Sequence, residues 1–385
     1  MAVLALGLTL PQLSRAEVGS NKLLNPDISV DGLFAGSFFN QDDPLTFNGG
    51  HDPHKNGFNI QQVELSLNAN IDPYFRGDVN LVLTPEGIEI EEAYATSLDL
   101  PANLQLKAGQ FLNAFGRNNP THPHTWDFVN KPLVLGRFFG GDGLRAPGVQ
   151  LSWLAPLPWY SEITGSIQNS DEETAPSFNK SGKMRGAGDG IFLARWSHFF
   201  SLGETLSLNL GTSYLNGKNT QSLSAERTQV LGGDVYLKFR ETSSLSFLSL
   251  QAEVLKRYYG RADADPVSGA VVETRPSDWG GYLQLNYRLP DGWDRWHVGL
   301  RYDLVGDKGD VPVATSTTVD ATGATVDRDL ARRFRVSPVV TFYPSEFSKV
   351  RLQYDYDKPS DWVNAQQVVT LQLEFLMGAH GAHKF

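Results

Sequence analysis

Two histidines two residues apart, in "NPTHPHTWDF" at residues 119–128, are where this sequence's residue types and spacing most suggest chemistry. On an extended, proline-spaced segment, His122 and His124 project to one side, so one ion could meet both imidazoles. Imidazole suits zinc, and Asp127 would offer a third ligand. Further histidine pairs stand at His51 with His54 and at His380 with His383. No HExxH and no cysteine frames any of them, so the sequence fixes no complete ligand set. The alternative, that these histidines only hydrogen-bond and hold the segment in shape, stays open. Catalysis has less support. His198 beside Ser197, and His297, are not framed by any nucleophile motif, and the expectation is a protein that is not an enzyme.

The histidines sit in a connection of about 113–145, the longest between any two regular elements of the chain. Pro120, Pro123 and Pro132 stiffen it, while Gly116, Gly136, Gly140, Gly141 and Gly143 let it bend. Trp126, Phe128, Phe138 and Phe139 are candidate anchors, and Arg117, Asp127, Lys131, Arg137, Asp142 and Arg145 would give it a field.

The elements on either side must position this insert, and they alternate. Val63, Leu65 and Leu67 interleave with Glu64, Ser66 and Asn68; Trp296, Val298, Leu300 and Tyr302 interleave with His297, Gly299, Arg301 and Asp303. Period two over nine or ten residues marks a strand with one apolar and one polar face. Sixteen such segments follow one another, centred near residues 33, 64, 79, 93, 108, 149, 164, 193, 209, 235, 252, 285, 299, 337, 352 and 373. They exceed the usual strand length and match the roughly 9–11 residues that cross a bilayer at a tilt. Short turns such as "LPAN" (100–103) and "LPDGW" (289–293) alternate with long polar loops near 40–56, 170–187, 215–227, 260–278 and 306–328. Trp159, Tyr160, Trp293, Trp296, Tyr343 and Phe347 cluster at the short turns, as an interfacial girdle requires. These features predict an all-β fold: a transmembrane antiparallel up-and-down barrel of about 16 strands, its third long loop folded inward.

Composition narrows the function classes. The 385 residues carry a net charge of −10, which argues against nucleic acid as a partner. There is no cysteine, so disulfides, thiolate metal sites and cysteine nucleophiles are excluded together. The first residues read as a secretion leader over 1–16: Ala2 to Leu10 form an apolar core, and Ser14, Arg15 and Ala16 precede Glu17 as a cleavage site. Residues 17–385 then form the single barrel, in the outer membrane of a Gram-negative bacterium.

The closing strand, with Val369, Leu371, Leu373, Phe375 and Met377 in one parity and Phe385 last, resembles the terminal signal of bacterial outer-membrane barrels. "FGR…HPHTWDFVNKPL" together with "GAHGAHKF" resembles a family of such barrels often labelled zinc-regulated outer-membrane proteins or receptors. The chain is also loosely similar to phosphate-selective-type porins. A TonB-dependent receptor needs 22 strands and a plug, more than this chain supplies. The resemblance implies a porin-like channel for small hydrophilic solutes or ions, commonly a homotrimer, with no cofactor unless zinc. The alternative is a substrate-specific or zinc-related transporter with a histidine-bearing gate. On this phasing the lumen is lined by Glu64, Arg76, Glu89, Glu91, Lys107, Arg301, Asp303, Arg333, Arg335 and Arg351, among others. Both signs are evenly represented, unlike the one-signed ladder of a phosphate-selective pore.

Overall fold

The computed structural model describes residues 26–41, 49–84, 87–170, 177–178, 184–219, 227–259, 261–264, 271–274, 277–306, 317–319, 325–327, 332–359 and 364–378. The expected leader over 1–16, the cleavage at Glu17, and the tail residues His380, His383 and Phe385 lie outside the described residues.

In chain order the strands are β1 (Asp27–Phe39), β2 (Gly57–Asn70), β3 (Phe75–Thr84), β4 (Gly87–Ser97), β5 (Leu104–Leu112), β6 (Arg145–Leu154), β7 (Tyr160–Gln168), β8 (Ile191–Leu202), β9 (Leu206–Lys218) and β10 (Arg227–Arg240). They continue with β11 (Phe247–Tyr259), β12 (Arg261–Ala264), β13 (Val271–Thr274), β14 (Ser277–Arg288), β15 (Trp296–Gly306), β16 (Thr317–Val319), β17 (Thr325–Asp327), β18 (Arg333–Ser345), β19 (Ser348–Pro359) and β20 (Gln366–Gly378). Sixteen of them close one antiparallel barrel in the order β1 to β11, β14, β15, β18, β19, β20. Each expected segment falls on one of these strands. β12 with β13 and β16 with β17 are separate two-stranded ribbons. Closure runs through β1 and β20, paired from Ser29 with Gly378 to Phe39 with Val368. No edge is left unpaired in the ring, the condition for a sheet in hydrocarbon.

Alternation does the sorting. Leu151, Ile163, Leu300, Leu352 and Leu371 face outward and are exposed, a contiguous apolar band that water would not tolerate. Trp159, Tyr160, Trp293, Trp296 and Phe347 are exposed near one rim, as expected of a girdle. Tyr343 is the exception. It shares the inward parity of buried Thr341 and packs at a tilt against His297, ring centroids 4.5 Å apart. The outward partner of Trp296 is Phe342, at 4.6 Å. The short turns fall on one rim, where Asp72 Oδ1 accepts from the amides of Tyr74 (2.7 Å) and Phe75 (2.8 Å) to close the β2–β3 turn. The other rim is mixed: residues 85–86 alone join β3 to β4, and the expected loop near 215–227 is shortened by β9 and β10 running on to Lys218 and from Arg227.

The buried core lies inside the barrel. One short helix, α1 (Leu133–Phe139), belongs to the connection between β5 and β6 and packs against β14 and β15.

Candidate functional site

The connection between β5 and β6 folds into the lumen, and apolar burial holds it there. Phe115, Leu133, Val134, Leu135, Phe138 and Phe139 are buried in one cluster with inward-facing Ile191, Leu193, Leu215, Val230, Leu255, Tyr282 and Val305. Six fully buried side chains give a gross stabilisation on the order of 10 kcal/mol, before the entropy of ordering the segment. Wall glycines make the sockets. A Cβ on Gly232 would lie 2.5 Å from the Phe115 ring, and one on Gly280 would lie 2.7 Å from Val134 Cγ2.

Polar bonds then tie the insert to opposite sides of the ring. On one side the amide of Asn118 donates to Glu253 of β11 (2.7 Å), that of Gly116 to Ser213 of β9 (3.1 Å), and Arg117 stacks over Tyr236 of β10 at 3.9 Å. On the other side His122 reaches β4. These are the eleventh and fourth strands of the sixteen, so the segment between them crosses the lumen. Beyond it, Arg351 donates to Trp126 O (2.6 Å), Lys349 to His124 O (2.5 Å), and Gln353 accepts from the amide of Val129 (2.8 Å). Arg301 caps Asn130 O at 2.9 Å, and Arg335 caps Lys131 O at 2.6 Å. Asp303 accepts from the amide of Leu133 (3.0 Å) while pairing with Arg301 (2.8 Å).

The histidines sit at the crossing. His122 is extended and Pro123–Thr125 is a 3-10 turn, closed by the Thr125 amide on His122 O at 2.9 Å. This turn, not a fully extended chain, lays the two rings nearly parallel with centroids 5.7 Å apart. His122 Nδ1 lies 3.0 Å from Glu91 Oε2 and 3.4 Å from Glu64 Oε2; His124 Nδ1 lies 3.2 Å from the same Glu64 oxygen. His122 Nε2 meets Glu92 Oε2 at 2.9 Å. Burial alone would lower the pKa of His122, but Glu64 and Glu91 outweigh it and hold the imidazole well above the ordinary histidine range. Glu64 raises His124 in the same way.

Two consecutive glutamates face inward because the β3–β4 register shifts between Asn80 and Leu81. Asn80 opposes Glu92 and Leu81 opposes Ile90, leaving Glu91 as the extra residue of a bulge. Strict alternation places only Glu89 and Glu91 inside, so it misses Glu92. The doubled glutamate in "EIEEA" is the one hint the sequence holds.

Asp127 accepts from Asn286 at 2.8 Å and stands apart from the histidine cluster; Glu64 and Glu91 occupy the place expected for it. Among the residues expected to charge a constriction, Lys131, Arg137 and Arg145 have buried side chains, while Arg117 and Asp142 are part-exposed. Arg137 pairs with Asp278 (3.2 Å), Arg145 with Glu89, and Asp142 lies 3.9 Å from His51. Burial pushes the Lys131 ammonium down to about 8, against the pull of Asp142 and Asp52. Arg301, Arg335 and Arg351, expected to face lumen water, are at most 1% exposed. Arg333 is buried against Asp357 at 2.5 Å. Their charge is spent on fastening the wall and insert. Arg76, beside Asp78 (3.2 Å) and Asn68 (2.9 Å), and Lys107, over the Tyr94 ring at 4.2 Å, do stay part-exposed. His198 lies outside, its Nδ1 accepting from Trp159 Nε1 at 3.3 Å, within the aromatic belt.

No family model matches the chain. Over 359 residues it is 30% identical to an uncharacterized protein of Aquifex aeolicus (strain VF5), spanning 88% of this chain and 73% of that protein. The chain belongs to that protein's family. Among solved structures it is similar to the trimer form of OmpT, an outer membrane protein of Vibrio cholerae, with TM-score 0.56, 11% identity, and 92% and 99% of the two chains covered. It is likewise similar to the anion-selective porin from Comamonas acidovorans (TM-score 0.55, 9% identity, 92% and 100% covered). Pseudomonas putida OprB aligns with TM-score 0.52 at 13% identity, over 92% and 94%. At these identities the likeness shows the fold: a porin-type sixteen-strand barrel.

Proposed function

We propose that this chain is a porin-like channel of the bacterial outer membrane, passing small hydrophilic solutes or ions by passive diffusion through a lumen narrowed by the insert. The observation that carries the reading is the insert's path, bonded to β11 at Asn118 and to β4 at His122 inside a closed barrel with an apolar outer band. An open tube of this strand number passes small solutes without discrimination, and a crossbar through the lumen would narrow it. The porin neighbours support a non-enzymatic channel, and the Vibrio trimer form supports a homotrimer for this chain as well. A second reading, a metal-related transporter with a histidine-bearing gate, draws on the seating of His122 and His124 among carboxylates.

The test is single-channel conductance in planar bilayers. The amide of Asn113 donates to Leu144 O at 2.8 Å, so residues 115–142 can be replaced by a short Gly-Ser link without moving β5 or β6. Wild type should give small ohmic steps, and the shortened variant steps several-fold larger. A folded, inserted protein that conducts in neither form would overturn the channel reading.

A further inference from the structure

We propose that Glu64, Glu91 and His122, with His124 completing the set, bind one divalent ion of the zinc class, which fastens the insert to β2 and β4. Tetrahedral zinc with ligands at 2.0–2.2 Å sets its donors roughly 3.3–3.6 Å apart. Here His122 Nδ1 stands 3.0 Å from Glu91 Oε2 and 3.4 Å from Glu64 Oε2, His124 Nδ1 stands 3.2 Å from the same Glu64 oxygen, and the donor atoms of Glu64, Glu91 and His122 all lie within 4.8 Å of one another. The three donor residues come from three separate segments, β2, β4 and the insert.

The surroundings match what a bound metal requires. Metal-ligating histidines donate their other ring N–H to a carboxylate, which fixes the tautomer and ring plane. His122 does so to Glu92, at 2.9 Å from Nε2, with Asn80 Nδ2 also 3.4 Å from that nitrogen. Glu64 is oriented in turn by Ser66 Oγ on Oε1 (3.0 Å) and Gln62 Nε2 on Oε2 (3.3 Å). Glu64 and Glu91 are each 2% exposed, so the carboxylates are fixed and largely dry. Thr121 and His122 remain part-exposed and Thr125 exposed, leaving a way in from lumen water. Two imidazoles with two carboxylates favour zinc, cobalt or nickel over magnesium and calcium, which take oxygen ligands. Binding displaces the proton shared between His122 Nδ1 and Glu91 and leaves Nε2–H on Glu92. The site stands whether or not the barrel conducts.

The experiment uses refolded, chelator-stripped full-length protein in detergent, titrated with cobalt(II) and then zinc chloride, with bound metal counted after gel filtration. The expected result is one cobalt per chain with the visible bands of a tetrahedral site, bleached by zinc. Glu91→Gln, nearly isosteric and still able to hydrogen-bond to His122, should weaken binding by at least about 100-fold and abolish the bands. Glu92→Gln should keep the bands with affinity reduced about 10–100-fold, the effect of losing a carboxylate behind a ligating histidine. The heat-modifiable electrophoretic mobility of each barrel confirms folding. A folded wild type without stoichiometric cobalt, or binding that survives Glu91→Gln and His122→Asn together, overturns the proposal. So does binding lost on changing His380 and His383 to alanine.

Discussion

Phe138→Ala tests whether the insert is a separately docked unit. The Phe138 ring is fully buried among the insert and inward wall residues, with the Arg257 guanidinium 4.4 Å from its centroid. Deleting a buried phenylalanine costs about 3–5 kcal/mol through transfer and cavity together. The cation–π contact adds about 0.5–2 kcal/mol. A local loss near 4–6 kcal/mol is roughly a 10³–10⁴-fold rise in the opening constant. The barrel's strand ladders do not pass through this ring, so the loss falls on the insert alone. Steady conductance reads only the opened fraction and responds little while that form is rare. Native-state hydrogen exchange is the right assay, because it scales with the opening constant itself. Four amides report directly on wall contacts: Gly116 to Ser213, Asn118 to Glu253, Val129 to Gln353 and Leu133 to Asp303. They should speed together by that factor while the β14–β15 ladder keeps its protection. Unchanged exchange at the four, or equal acceleration of insert and ladder, would refute docking by the apolar cluster.

Other expectations follow from the same contacts. Asp303→Ala strands the buried Arg301 and Arg335 guanidinia, and should cost about 3–5 kcal/mol in urea unfolding, with Asp303→Asn intermediate. Gly280→Leu drives its Cβ into Val134 (2.7 Å) and Val305 (2.9 Å), displacing α1 at a cost of about 1–3 kcal/mol, read as faster exchange over 133–139. Lys131 has a folded pKa of about 8, below its ordinary 10.5, so the fold penalises its charged form. The Lys131 contribution to insert stability should therefore be lowest below pH 8, rise between the two values and level off above 10.5, a gain on the order of 3 kcal/mol absent in Lys131→Met.

The sequence by itself determined the barrel. Alternation is a property of each strand alone, so the sixteen strands of the ring could be placed from patterns such as Val63, Leu65 and Leu67 or Trp296, Val298 and Leu300 without knowing their neighbours, whereas the ribbons β12–β13 and β16–β17 fell in stretches read as loops. The insert was legible for the same reason: the alternation stops at 113 and resumes at 145. What tertiary structure decided is everything that depends on register and on meeting across the lumen. The bulge opposite Asn80 turns both Glu91 and Glu92 inward, and a bulge is set by pairing with β3, not by the residues of β4. Glu64 replaces Asp127 beside the histidines because the 3-10 turn at Pro123 aims His122 and His124 at β2 and β4, while Asp127 emerges toward Asn286. Leu215, Val230 and Leu255 break the polar inward pattern and look like errors in isolated strands. They share one apolar cluster with Phe115, Phe138 and Phe139 of the insert, and only the packed insert gives apolar side chains inside a barrel a reason to be there.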